Sequence, residues 1–483
     1  MSIHTPDWVK DAIFYQIFPD RFARSEKLSK PGNLEAWDAP PTVEGFKGGD
    51  LLGVVEHLDY LQDLGITAIY FNPIFQSTAN HRYHTHDYRH VDPILGGDAA
   101  FREMIKAAHG RGIRVMLDGV FNHASRGFYQ FNHLLENGPA SPYLDWFKAK
   151  KFPVNAYDRH GKPNYECWWG LKALPKFNTE TPAVREFIYE IAELWLREGI
   201  DGWRLDVPLE IKTPGFWEEF RRRVKTINPE AYILAEIWEE AREWLRGEHF
   251  DATMNYVFNR ACLGFFGGAK LDTSVKPGGF QLRRLDASAF AKQIERMVTL
   301  YDREVTLVQY NLLSSHDMPR FLTLVGGDKA RLKLATLFQM TFLGTPSIYY
   351  GDEIGLEGGQ DPDCRRAFPW DQRRWDHDLL ASFKRYVALR KAHTVLRYGD
   401  YRTLYAKGLQ FAYARTAELE SFIIAMNTAE EPASVELDLR KTSLEKRTFR
   451  PVWEEGGSYK PDQGKLTLTV PPLDAVVLVT LPE

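Results

Sequence analysis

Short apolar runs alternate with helix-period segments along most of the chain. AIFYQIF (12–18) is the first run and reads as a strand. VVEHLDYLQDLG follows, with Val54, Leu58 and Leu61 on one helical face and Gly65 as the stop. TAIYFNPI (67–74) is a second strand, FREMIKAAHG a helix closed by Gly110, and IRVMLDGV (113–120) a third strand. Thr181-Pro182 has the form of a helix start, a capping threonine with proline at the first position, and this helix runs to Gly199. DGWRLDV is strand four, YILAEIW (232–238) strand five and DATMNY (251–256) a short sixth. TLVQYNLLSSHD contains the seventh, and PSIYYGDE (346–353) the eighth. Eight strands alternating with helices predict an α/β fold, a parallel sheet closed as a (β/α)8 barrel.

Two regions break the rhythm. Before Thr181 lies a stretch of about sixty residues with no clear helix, rich in Pro, Gly, Asn and aromatics; a loop of this length in a barrel is functional or a small inserted domain. Beyond residue 393, ASVELDLRK and KLTLTVPP alternate apolar with polar and AVVLVTL is continuous, which predicts an antiparallel β-domain. The expected organisation is a barrel over 1–120 and 182–392, an insert over 121–181, and a C-terminal β-sandwich over 393–483.

Composition narrows the function classes. A chain of 483 residues accommodates one large α/β domain with an extra module. Net charge is −4 with both signs mixed along the chain, so no basic footprint for nucleic acid exists. No segment approaches a membrane span, and MSIHTPDWVKDAIFYQIF lacks the form of a secretory leader. Cys167, Cys262 and Cys364 are odd in number and widely separated, which fits a reducing, cytoplasmic setting. Thirteen Trp, 22 Tyr and 30 Phe serve a large core or, in part, stacking platforms for sugar rings.

The charges on the strands change the picture most. In GIDGWRLDVPLE, Arg204 and Asp206 are two apart and so share one side of a strand, where charge is costly unless paired or used. Catalytic groups of barrels project from the C-terminal ends of strands. Strand three ends in Asp118 and leads to Asn122-His123, strand five carries Glu236, and strand seven leads to His316-Asp317. A lone strand aspartate is more often structural; four loaded strand ends are hard to explain as packing. Carboxylates without a serine or cysteine triad suit glycoside hydrolysis, in which one carboxyl protonates the leaving oxygen and another attacks or stabilises the sugar cation. Metal-assisted hydrolysis is the rival, sustained by His81, His84, His86 and His90 in HRYHTHDYRH, although no helical zinc motif is present.

DGVFNH (118–123), GWRLDV (202–207), AEIW (235–238) and SSHD (314–317) resemble, in order, the four motifs of the α-amylase family of retaining glycoside hydrolases. The resemblance spans nearly the whole chain. It implies Asp206 as nucleophile, Glu236 as general acid/base and Asp317 as the residue binding the sugar at the cleavage point. It also implies that Arg204 orients Asp206, that His123 and His316 bind sugar hydroxyls, that Tyr83 stacks under that sugar, and that Asp118 and Asn122 support them. LPKFN (174–178), the segment following AEIW and YYGDEIGLEGGQDPDCRRAFPWD are similar to the neopullulanase, cyclomaltodextrinase and maltogenic-amylase group. From that likeness Trp238 is expected as a platform beyond the scissile bond, Glu210 on the acceptor side, and Asp361 and Arg365 at the donor end.

The chain departs from the group in four places. FYQIFPDRF begins at residue 14, so the group's N-terminal β-domain is expected to be missing, and with it a dimer built by that domain; a monomer or another dimer is the expectation. RSEKLSKPG replaces a calcium loop, leaving Gly49-Asp50 as a half-site; no cofactor is expected, and calcium there is expected to be weak or absent. DVPLE replaces DVANE, and His84 replaces an aspartate. The expected activity is cleavage of α-1,4 bonds in cyclodextrins, maltooligosaccharides, starch and pullulan, with some transglycosylation. The alternatives are a maltose-forming α-amylase, a 4-α-glucanotransferase, or a non-catalytic carbohydrate-binding protein on the same fold.

Overall fold

The structure is a computed structural model that describes residues 3–453 and 457–481. The chain divides into two compact units. The first comprises residues up to 9, 14–254 and 365–372. It holds six of the expected strands: β1 (Phe14–Ile17), β2 (Ala68–Phe71), β3 (Arg114–Gly119), β4 (Gly202–Leu205), β5 (Tyr232–Ala235) and β6 (Ala252–Thr253). Each pairs in parallel with the next. β1, β2, β4 and β5 are four residues long and buried throughout, as parallel strands covered on both faces must be. The second unit holds β7 (Tyr310–Leu312) and β8 (Thr345–Tyr349), also parallel, with Thr345 opposite Tyr310. All eight predicted strands form, and all are shorter than the apolar runs that announced them.

The helical predictions need three corrections. The run carrying Val54, Leu58 and Leu61 is two helices, Leu51–Glu56 and Leu58–Leu64, broken at His57; all three apolar residues are buried and Gly65 closes the second helix at φ 90°. Thr181 precedes the helix Pro182–Arg197 but does not cap it: its side-chain oxygen accepts from the Asn178 amide at 3.0 Å, and its hydroxyl donates to the Asp145 carbonyl at 2.6 Å. The stretch before Thr181 contains a helix, Tyr129–Asn137. Its buried Phe131 packs edge-on against Phe147 and its amphipathic period was hidden among aromatics. Isolated bridges at His123–Lys176 and Phe147–Phe177 tie this excursion to itself. A hairpin of Phe75–Ser77 and Thr85–Val91 carries Tyr83 and His84 in its turn.

The C-terminal strands are antiparallel, as the alternation predicts. β9 (Asp400–Lys407), β10 (Gln410–Thr416), β11 (Ser421–Asn427), β12 (Ala433–Asp438), β13 (Phe449–Pro451), β14 (Lys465–Val470) and β15 (Asp474–Thr480) form a five-stranded sheet, β9-β10-β11-β15-β13, and a separate β12–β14 pair. Val435 faces Leu468 and Leu437 faces Leu466, all four buried, while Glu436 and Lys465 pair at 2.8 Å. Among the described residues no helix is long and apolar enough to cross a membrane.

Candidate active site

Register alone brings the central residues together. Asp118 on β3 lies opposite Arg204 on β4, and Leu205 lies opposite Ala235 on β5. Asp206 and Glu236 are the next residues on their strands. Their amides continue the ladder, Asp206 N–H to the Gly119 carbonyl at 3.1 Å and Glu236 N–H to the Leu205 carbonyl at 3.0 Å. Neighbouring strands are about 4.8 Å apart, so two carboxyl-bearing residues leave the sheet side by side.

Arg204 is the hub. Its Nη1 donates to Asp118 at 2.9 and 3.1 Å and to Asp206 Oδ1 at 2.9 Å. Nη2 lies 3.0 Å from Glu236 Oε2, and Nε points at the Met254 sulfur at 3.4 Å. Burial pulls the guanidinium's pKa down; Asp118 and Glu236 outweigh that and hold it well above its ordinary range. One cation is thus shared by three carboxyl groups, and a buried charge requires such partners.

Around the hub stand two phenols. Tyr70 and Tyr83 donate to the same Asp118 oxygen at 2.6 and 2.8 Å, and Asn72, itself held by Gln16, donates to the Tyr83 hydroxyl. Burial raises the Asp118 carboxyl above its usual value, opposed by Arg204 and the two phenols. Glu236 accepts on both oxygens, from the Trp238 indole at 3.0 Å on Oε1 and from the Val207 amide at 3.0 Å on Oε2. Val207 aims its amide there from φ 36°, ψ 52°, a left-handed conformation rare for a β-branched residue. Such strain is concentrated at sites where position matters more than local comfort.

The remaining predicted residues are placed as follows. His123 is buried beyond β3, with the Asn122 amide 3.3 Å from its Nδ1 and its Nε2 without a hydrogen-bond partner among the described residues. Burial, and then the positive field of His84, lower its pKa to about 3. His84 is lowered to about 4 by burial, Arg126 and His86, and burial likewise lowers His81 and His86. The four histidines of HRYHTHDYRH do not converge: His86 is hydrogen-bonded to Ser125, His90 lies 2.8 Å from Asp98, and His81 and His84 meet edge-on. Glu210 is exposed and ion-paired with Lys176 of LPKFN at 3.1 Å. In the second unit His316 is buried beyond β7, its Nε2 3.1 Å from Asp317 Oδ1. Asp361 is exposed. Arg365 is buried against the Phe18 ring at 5.3 Å.

Asp50, half of the expected Gly49-Asp50 cation site, has partners within the chain. Asp50 Oδ1 caps the Leu51–Glu56 helix through the Gly53 amide at 2.7 Å. Oδ2 accepts the Ser25 amide at 2.9 Å and meets the Lys30 ammonium at 2.8 Å. The Gly49 amide is bonded to the Asp20 carbonyl. This donor set does not fit calcium, which takes six to eight oxygens, because an ammonium already balances the one carboxylate. Lys30 lies within RSEKLSKPG, but its pairing needs a fold to bring it to Asp50. Tyr70 was likewise missed, since a tyrosine inside IYF reads as strand core.

The family profile of the alpha amylase catalytic domain matches residues 16–375, and that of the alpha-amylase C-terminal domain matches residues 399–478. A cyclomaltodextrinase from Bacillus sp is 45% identical over 87% of this chain and 73% of its own length. A solved structure from Thermus thermophilus superposes with a TM-score of 0.93 at 47% identity, covering 98% of this chain and 99% of that one. A debranching enzyme from Nostoc punctiforme, in an acarbose-soaked crystal, gives 0.90 at 48% identity, covering 99% and 100%.

Proposed function

The chain belongs to the alpha-amylase family of glycoside hydrolases, and on that premise we propose that it is a retaining α-glycosidase cleaving α-1,4-glucosidic bonds of cyclodextrins and maltooligosaccharides, and of starch and pullulan. The observation that carries this reading is the guanidinium of Arg204, shared by Asp206 and Glu236 on neighbouring strands. Asp206, kept anionic by that cation, attacks the anomeric carbon while Glu236 gives a proton to the leaving oxygen and the glycosidic bond breaks. Water, or the hydroxyl of a second sugar, then attacks the glycosyl-enzyme and returns a proton to Glu236. Hydrolysis results in the first case and transglycosylation in the second. His123 binds a hydroxyl of the sugar at the cleavage point and Tyr83 stacks on that sugar; Asp317 and His316 are sugar-hydroxyl binders of the second unit. Trp238, Glu210, Asp361 and Arg365 take sugars further along the cleft.

A cytoplasmic setting fits a chain in which no disulfide forms among the described residues. A second reading, action at α-1,6 branch points, draws support from the Nostoc debranching enzyme, whose whole length this chain covers. Product profiles from β-cyclodextrin, pullulan, soluble starch and maltotriose decide between them. Trisaccharides from pullulan that retain an α-1,6 bond, with ring-opening of β-cyclodextrin, support the first reading. Maltotriose as the sole pullulan product supports the second. A protein that binds these sugars and releases no reducing ends is the non-catalytic alternative.

A further inference from the structure

Three rings stand face to face in the excursion that follows β3. His123 stacks on Trp168 with centroids 5.3 Å and planes 14° apart, and Trp168 stacks on Trp169 at 4.5 Å and 10°. Exposure rises along the row: His123 is buried, Trp168 half-buried, and Trp169 81% exposed. The inner end meets the main chain of Tyr83, the residue whose hydroxyl is bonded to Asp118. The outer end is solvent.

Packing does not account for Trp169. An indole this exposed gains little from burial. Its backbone is no better served: φ 50°, ψ 22° lies in the left-handed region, which large side chains rarely adopt and glycine adopts freely. The turn that holds it is nonetheless well fixed. Trp168 N–H bonds to the Leu174 carbonyl at 3.0 Å and Leu171 N–H to the Trp168 carbonyl at 2.9 Å. The chain therefore keeps a large flat ring, in an unfavourable conformation, at the solvent end of a row that starts at His123, the sugar-binding histidine of the proposed function.

We propose that Trp169 is a binding platform for the α-glucan chain, on which a glucosyl unit remote from the cleavage point lays its C–H face. The electron-rich face of an indole attracts the weakly positive C–H hydrogens of a sugar, and parallel stacking on Trp168 leaves one indole face free for it. Trp169 then favours chains long enough to reach from the carboxylates to the exposed indole over short ones. This rests on the α-glucan reading above and adds a length preference to it.

The test compares Trp169→Ala and Trp169→Gly with the unaltered enzyme on soluble starch and on maltotriose, with melting temperatures recorded for all three. Stacking of this kind predicts a roughly three- to tenfold fall in the ratio of kcat/KM for starch to kcat/KM for maltotriose in both variants, expressed in KM. The glycine variant should melt no lower than the unaltered protein, since glycine fits the backbone. A Trp169→Phe variant should recover part of the ratio. An unchanged ratio overturns the proposal, and so does a glycine variant that melts clearly lower, which would make Trp169 structural. Failure of the α-glucan reading shows separately, as an unaltered enzyme that turns over neither substrate.

Discussion

Replacing Arg204 by lysine keeps the buried charge and removes its shape. The guanidinium reaches Asp118 and Asp206 through Nη1 at 2.9 Å and Glu236 through Nη2 at 3.0 Å. A lysine ammonium ends nearer the main chain and has no fork, so at most one or two of the three carboxylates stay in contact. The others retreat from about 3 Å to about 4–5 Å, which at an effective dielectric constant of about 20 loses about 1.5–2 kcal/mol for each carboxylate. The contact that bears on rate is the one to the anionic Asp206, so kcat/KM falls by roughly 10- to 30-fold, since about 1.4 kcal/mol is a factor of ten. The folded protein should persist, because no carboxylate is left facing apolar surroundings without a nearby cation. Steady-state kinetics on maltotriose, with circular dichroism and thermal melting as the folding control, measures this. A folded Arg204→Lys enzyme within threefold of full activity would show that a point charge suffices, and the argument from guanidinium geometry would fail.

Asp206→Asn should reduce hydrolysis to background while leaving maltotriose binding measurable by calorimetry; substantial residual turnover would remove Asp206 as the nucleophile. His123 has a folded pKa of about 3 against an ordinary 6.5, so between those values the unfolded chain holds the proton and the folded protein does not. Stability should therefore fall as pH drops from 6.5 towards 3, with a contribution approaching about 1.4 kcal/mol per unit from this residue. In His123→Asn, denaturant titrations across pH 6 to 4 should show a shallower slope; a slope equal to the parent's would contradict the assignment. Lys30→Met leaves the buried Asp50 carboxylate without its ammonium and should cost about 3–5 kcal/mol. A chelator should leave the melting temperature of the unaltered protein where it is, and a chelator-induced drop would mean that a cation, rather than Lys30, balances Asp50.

Much of the barrel was legible because its strands are buried on both faces, and a strand in that position must be an uninterrupted apolar run. Arg204 and Asp206 stood out for the same reason, as charges inside such a run. The helix Tyr129–Asn137 was not legible, because its apolar face is aromatic in a stretch where aromatics occur everywhere. The failed cap at Thr181 illustrates another limit. Its oxygen accepts from the Asn178 side chain instead of a helix amide, and its hydroxyl donates to the Asp145 carbonyl, 36 residues away.

What the sequence by itself determined is the chemistry. Residue types at strand ends, their order and their spacing name two carboxylates and an arginine, and local pattern is enough because strand period and strand order are local properties. What only the tertiary structure decided is how those groups are held. Arg204 serves three carboxylates rather than Asp206 alone, Val207 is bent to deliver its amide to Glu236, and Lys30 takes the place a cation would need beside Asp50. Each of these depends on distances between segments far apart in the chain. Such distances follow from strand register and loop closure, which packing sets.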